Sequence, residues 1–196
     1  MADLDAWLVV GLGNPGPEYA RTRHNVGAMA VDALAERWGG RLSSDRYTRC
    51  DVMDSRWEGR RVVLARGRSY MNESGGPVKA LATHFHVPVE RTIVVHDELD
   101  IPYAALRIKR GGGDGGHNGL RSIRRSLGTG ETIRVRVGIG RPPGRQDPAD
   151  FVLKPFSAAE REELPEVLDR TDDAIECIIR DGVDVAQNRF HPEVTT

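Results

Sequence analysis

The chain has 196 residues, 39% hydrophobic and 29% charged, with a formal net charge of -1, the composition of a soluble globular protein. That length suits one domain with a sizeable core. No apolar run approaches the ~20 residues of a membrane helix, which excludes a spanning class. Met1 to Asp5 carry two aspartates and no basic stretch, so a secretory leader is not expected. Cys50 and Cys177 lie far apart and form no metal-type spacing, so free thiols in a reducing cytoplasm are expected. The near-zero net charge hides an asymmetry. From Ala104 to Arg145 ten Lys/Arg face only Asp114 and Glu131, whereas from Gln146 onward thirteen acids face five bases. The first block points to a polyanion, with a merely solvated surface as the alternative.

In chain order, Leu8 to Leu12 is short, apolar and β-branched, and reads as a buried strand. Asn14-Pro-Gly-Pro17 stops it, because both prolines lack a donor and fix φ. From Val26 apolar residues recur at helical spacing through Met29, Ala30, Ala33, Leu34 and Trp38. Strand, turn and helix thus frame a crevice of the kind where ligands sit in open α/β sheets. Gly11-Leu-Gly-Asn-Pro-Gly16 matches G-x-G-x-x-G, but a dinucleotide fold needs the helix to start at those glycines, and Pro15 and Pro17 prevent that. Asp32, the acid at the expected distance, falls inside the helical pattern.

Tyr47 to Met53 and Arg61 to Leu64 read as two strands joined through a turn at Asp54 to Gly59. Arg68 to Gly76 reads as a loop, with Ser74 capping a helix over Val78 to Phe85. Thr92 to Asp100 is a second buried strand, ending in Asp97, Glu98 and Asp100. Those carboxylates need not converge, because neighbouring strand residues face opposite ways; one of them is better used to hold an imidazole. Ala105 to Lys109 is another strand. Gly111 to Gly119 is a glycine-rich stretch able to line an anion nest, without the Lys-Ser/Thr of a nucleotide loop. It leads into a basic amphipathic helix over Leu120 to Leu127. Ile133 to Ile139 alternates as a strand, Pro142 to Pro148 is a loop, and Ser157 to Arg180 is a long helix or helix pair capped by Ser157 and Glu160. His84, His86 and His191 are read as structural or surface residues.

Val9-Val-Gly-Leu-Gly-Asn-Pro-Gly16 with Tyr19, Thr22-Arg-His-Asn-x-Gly27, Met71-Asn-x-Ser-Gly75, Val95-His-Asp-Glu-Leu-Asp100, Gly115-Gly-His-Asn-Gly-Leu120 and Arg136-x-Gly-Ile-Gly140 together resemble bacterial peptidyl-tRNA hydrolase. The resemblance runs in order from Leu8 to about Arg189. It implies one domain over 1–196, a three-layer α/β/α sandwich around a mixed, mostly parallel twisted sheet, acting as a cytoplasmic monomer without metal or cofactor and without membrane contact. It also implies hydrolysis of the ester between a peptide and the 3′ end of tRNA, recycling tRNA from prematurely released peptidyl-tRNA. His24 then corresponds to the general base, Asp97 to its support, and Asn14 to the residue that senses the blocked α-amine or adjacent amide. Asn72 and Asn118 correspond to contacts near the carbonyl and the terminal adenosine. Tyr19 and Tyr70 flank the cleft, Tyr70 standing where most relatives carry Phe. Arg107, Lys109 and Arg136 match the tRNA surface, with Arg145 a looser match.

The chemistry agrees with the resemblance. An ester needs less activation than an amide, so one histidine base, supplying on the order of 10²–10⁴-fold, can suffice without a nucleophilic serine. Positioning and amide donors aimed at the oxyanion supply the rest. Buried asparagine amides suit the reading of a peptide, because a wrong substrate leaves them unpaired.

Overall fold

The apolar run near the N-terminus lies at the centre of a seven-stranded sheet in a computed structural model that describes residues 5–191. The acidic stretch Met1 to Asp5, apart from its last residue, lies outside the described residues. The central strand, β1 (Trp7–Gly11), pairs in parallel with β4 (Arg60–Gly67) and with β5 (Thr92–Glu98). β5 in turn pairs in parallel with β7 (Ile133–Gly138). Outside this centre the pairings are antiparallel: β3 (Cys50–Trp57) on β4, the short β2 (Ser43–Ser44) on β3, and β6 (Leu106–Arg110) on β7. The order is β2-β3-β4-β1-β5-β7-β6, so the expected parallel character is confined to the middle four strands.

Both faces of the centre are covered, which explains the continuous apolar runs of β1 and the first half of β5. Val9, Leu64, Ile93 and Val95 point to the layer of α1 (Val26–Arg37) and α5 (Ala158–Asp181). Leu8, Val10, Val63 and Val94 point the other way, to α2 (Gly75–His84) and α3 (Asn118–Leu127). The result is the expected α/β/α sandwich, with α6 (Val183–Phe190) covering the edge strand β6. His191 is structural, as read: its Nε2 accepts from the Ile108 backbone N–H at 2.9 Å.

Three local expectations are corrected. β3 and β4 run to Trp57 and Arg60, so the turn is only Glu58-Gly59, both with positive φ (46° and 79°) as a tight hairpin requires. Ser74 does not cap α2; its hydroxyl donates to the Met71 carbonyl at 2.6 Å. Pro148 does not end a loop but starts a short helix, α4 (Pro148–Val152), whose N-cap is Asp147. The Ser157–Glu160 capping box forms as read, and α5 runs unbroken through Pro165 to Asp181.

The close approach of α1 to the sheet depends on two glycines. A Cβ on Gly27 would run into the Val95 carbonyl oxygen, and one on Gly11 into the Gly27 carbonyl oxygen. Neither neighbour is a flexible side-chain tip, so the backbone itself would have to move. Gly27→Ala is therefore expected to cost about 1–3 kcal/mol of stability, read as a lower urea midpoint, and to reduce turnover because the N-terminus of α1 moves away from β5. An unchanged midpoint would contradict this packing.

Candidate active site

At the C-terminal end of β5, Asp97 is 3% exposed and lies between two imidazoles. Its Oδ2 is 2.8 Å from His24 Nδ1 and its Oδ1 is 2.8 Å from His117 Nε2. Burial by itself raises the Asp97 pKa, but His117 and His24 together outweigh it and hold the carboxyl well below the usual carboxylate range. An ionised carboxylate only accepts hydrogen bonds, so both ring nitrogens facing it carry protons. His24 then keeps a lone pair on Nε2, and its ring lines an open cavity of about 380 Å³.

The second histidine was not singled out by sequence. His117 Nδ1 accepts from the Gly119 and Leu120 backbone N–H groups, at 3.1 and 3.3 Å, and so caps α3. This fixes its proton on Nε2, toward Asp97. His24, Asp97 and His117 offer ligand atoms within 4.8 Å of one another, a spacing that could suit a metal ion. However, a cation on His117 Nε2 would force the ring proton onto Nδ1, against two backbone donors. The trio is suited to passing hydrogen bonds, not to chelation. Behind it, fully buried His96 donates from Nδ1 to the Asp97 carbonyl at 2.7 Å and meets the His117 ring edge-on at 5.0 Å. Burial, then the nearby His117, pushes His96 down to about 3, so it stays neutral.

His24 sits in a short 3-10 turn, Arg23–Asn25, secured on both sides. Arg23 pairs with Glu160 at 2.7 Å, donates to the Phe151 carbonyl at 3.1 Å and stacks over the Phe151 ring at 3.8 Å. The Asn25 amide binds the backbone of Asn14 twice, accepting from its N–H and donating to its carbonyl, each at 2.9 Å. Gly13 leaves room for that amide; a Cβ there would lie 2.8 Å from Asn25 Cγ. The proline turn and the histidine turn are therefore one rigid unit. The roles of Arg23 and Asn25 were not read from sequence, although both stand inside the motif that carries His24.

Asn14 is half-buried, and its Oδ1 accepts from the Met71 N–H at 2.7 Å, which leaves the NH₂ end as the group available to the cavity. Asn72 and Asn118 also line the cavity, but both are exposed, which corrects the expectation of buried amides. Glu98 and Asp100 line it too: Glu98 accepts from the Asp100 N–H, and Asp100 pairs with Arg141 at 2.6 Å. The Tyr19 and Tyr70 rings meet edge to face at 6.4 Å, outside the cavity lining, with Tyr70 half exposed.

On β6 and β7, Arg107 lies directly opposite Arg136, and Lys109 opposite Arg134. Arg107 and Lys109 are exposed and Arg136 is half-buried. Arg136 is pulled down first by burial and then by Arg107, with Glu98 acting the other way. Like charges directly opposite across strands are destabilising, and an anion between them removes the penalty. Arg145 is exposed in the loop leading to α4. Arg134 is different: it is 4% exposed and donates to the carbonyls of Gly113, Gly112 and Gly130, at 2.5, 3.1 and 3.2 Å. Its charge, counted from sequence in the basic block, is used internally to tie down the glycine stretch that ends in His117.

Comparisons with known proteins fit this geometry. The family described as "Peptidyl-tRNA hydrolase" matches residues 8–196. Peptidyl-tRNA hydrolases of Frankia casuarinae and Nocardia farcinica are 62% and 59% identical, each match covering 94% of this chain and 93% and 95% of the relative. A crystal structure of peptidyl-tRNA hydrolase from Acinetobacter baumannii superposes with a TM-score of 0.89 at 34% identity, covering 96% of this chain and 95% of that one.

Arg134→Lys keeps the charge but loses the fork that reaches several carbonyls. It is expected to speed amide exchange at Gly112 to Gly116 ahead of the central strands, and to lower kcat/KM because His117 is less well held. Unchanged exchange in that stretch would remove the tethering role.

Proposed function

The chain belongs to the peptidyl-tRNA hydrolase family and hydrolyses the ester joining a peptide to tRNA; from that premise we propose that His24 is the general base and that Asp97 and His117 hold it ready. The observation that carries this reading is the 2.8 Å contact from His24 Nδ1 to a buried carboxylate, which leaves Nε2 as a lone pair. His24 Nε2 takes a proton from water, and the resulting oxygen nucleophile attacks the ester carbonyl carbon. Asp97 stays ionised and stabilises the imidazolium. The tetrahedral oxyanion is met by the amide donors of Asn72 or Asn118 at the cavity rim. The intermediate then expels the ribose oxygen, which takes the proton back from His24. The products are a peptide carboxylate and a tRNA with a free 3′ hydroxyl, so the reaction recycles tRNA.

Asn14 acts as the peptide reader. Because Met71 N–H occupies its oxygen, Asn14 offers a donor to a carbonyl of the blocked substrate. A free aminoacyl group would present an ammonium, itself only a donor, and two donors facing each other leave both unpaired. Tyr19 and Tyr70 flank the peptide path. Arg107, Lys109, Arg136 and Arg145 bind the tRNA phosphates, with Arg107 and Arg136 relieved of their mutual repulsion by the anion. The free, buried Cys50 and Cys177 support a reducing cytoplasm. No helix among the described residues is long and apolar enough to cross a membrane.

The deciding experiment is deacylation of N-acetyl-aminoacyl-tRNA by the purified chain in EDTA. Turnover is expected without metal or cofactor, and His24→Ala should reduce kcat by on the order of 10²–10⁴-fold while tRNA affinity stays near wild type. A wild-type protein that binds tRNA without cleaving it would instead be a non-catalytic RNA-binding module. For the phosphate contacts, Lys109→Ala should raise KM and reduce the slope of log KM against log salt by about one. A KM of the wild type that ignores salt would exclude this surface.

A further inference from the structure

Charge is unevenly distributed around the cavity beside His24. Besides the two imidazoles, its walls carry the carboxylates of Asp97, Glu98 and Asp100, and Arg141 is the one Lys or Arg among the described lining residues. The backbone around Arg141 is firmly placed. The Ile139 N–H donates to the Glu98 carbonyl at 3.0 Å and the Gly140 N–H to the Ile101 carbonyl at 2.9 Å. The segment after β7 is thereby fastened to the segment after β5, the strand that carries Asp97. The Arg141 side chain is held more lightly. Its Nε donates to Asp100 Oδ1 at 2.6 Å, and neither Nη group has a partner among the described residues. Both members of the pair are exposed, and an exposed pair contributes little to stability. The two-pronged end of the guanidinium is thus free to take a second anion, in the geometry that suits a phosphate.

The substrate brings one anion into this space. The ester cleaved beside His24 hangs on the terminal ribose of the tRNA, and the same nucleoside carries a phosphodiester on its 5′ side. That phosphate meets like charge from Glu98 and Asp100, which opposes its entry unless a cation answers it. Arg136 acts on Glu98 from β7, and Arg141 is the cation paired with Asp100. Arg141 also follows Arg136 in the chain and precedes Arg145, so it stands on the stretch leading from the basic surface to the cavity. We propose that Arg141 binds the last phosphodiester of the tRNA, on the 5′ side of the terminal adenosine, through its two Nη groups while Asp100 holds Nε. The proposal rests on the placement of the other tRNA phosphates along Arg107, Lys109 and Arg136. A peptide carbonyl is the competing acceptor for Arg141, but that pairing would leave the phosphate facing Glu98 and Asp100 alone.

The test is a double cycle on the full chain, read as kcat/KM for N-acetyl-aminoacyl-tRNA. One change replaces the last phosphodiester of the tRNA by a methylphosphonate, which keeps the linkage and removes its charge. The other is Arg141→Gln. Each alone is expected to lower kcat/KM about tenfold, and both together no further than either alone, because they remove the same contact. Losses that multiply would overturn the proposal and assign Arg141 to a peptide carbonyl or to Asp100 alone. A methylphosphonate that costs the wild type nothing would overturn it too. Lys109→Ala in the same cycle should multiply with the methylphosphonate, since it serves a different phosphate. If Lys109→Ala has no effect at any salt concentration, the wider phosphate surface fails, whereas the Arg141 cycle is still decided by its own four rates.

Discussion

A carboxylate almost sealed from water remains an anion at Asp97 because two imidazole N–H groups point at it. Removing either donor would leave a buried charge partly unsatisfied, which costs more than losing a surface contact. The two donors are not equivalent. His117 is committed at both ends, to Asp97 and to the start of α3, so its ring has no remaining chemistry. His24 is committed only at Nδ1, so its other nitrogen stays available. The asymmetry of these two histidines, set by what each touches on the far side, leaves one open for the proposed role of base and commits the other as a brace.

The fold delivers the three members from three different places. Asp97 comes from the end of β5, His24 from the turn before α1, and His117 from the turn before α3. No local sequence signal can set distances between such elements; packing does. Gly11 and Gly27 let α1 approach the sheet closely, and the Asn25–Asn14 bonds lock its leading turn to the end of β1. Arg23 ties the same turn to α4 and α5. Arg134 fixes the glycine stretch from below, so residues that adopt positive φ freely are held in one arrangement.

What could be read from the sequence follows what burial makes visible. β1 and β5 were legible because both of their faces are covered and their residues are correspondingly apolar, and β7 because Ile133, Val135 and Val137 alternate with Arg134 and Arg136. The second half of β3 was not: Asp54 and Arg56 face solvent, and their polarity resembles a turn. α4 has only five residues, too few to establish a helical period. The motif resemblance located His24, Asp97 and the three asparagines, but it could not separate half-buried Asn14 from exposed Asn72 and Asn118. His117 was hidden by its glycine-rich surroundings, which read as backbone chemistry and not as a side-chain site. Counting charges also could not distinguish Arg134, used as an internal tie, from Arg107 and Lys109, which face solvent.

The opposed charges of the last two segments become a feature of the fold. On β7, Ile133, Val135 and Val137 pack toward the α5 layer, so Arg134 and Arg136 must project toward the α3 layer. Arg107 and Lys109, opposite them on β6, project the same way, toward the basic helix α3. The acidic helix α5 covers the other face. There its carboxylates are engaged by Arg37 along its middle and by Arg23 in its first turn. Positive and negative charge are therefore separated across the thickness of the sheet, so the net charge near zero masks a dipolar molecule. Such a separation would draw a polyanion to one layer and repel it from the other, orienting it before any specific contact forms. Glu160 serves twice on α5, since the same residue caps the helix and holds Arg23, the neighbour of His24.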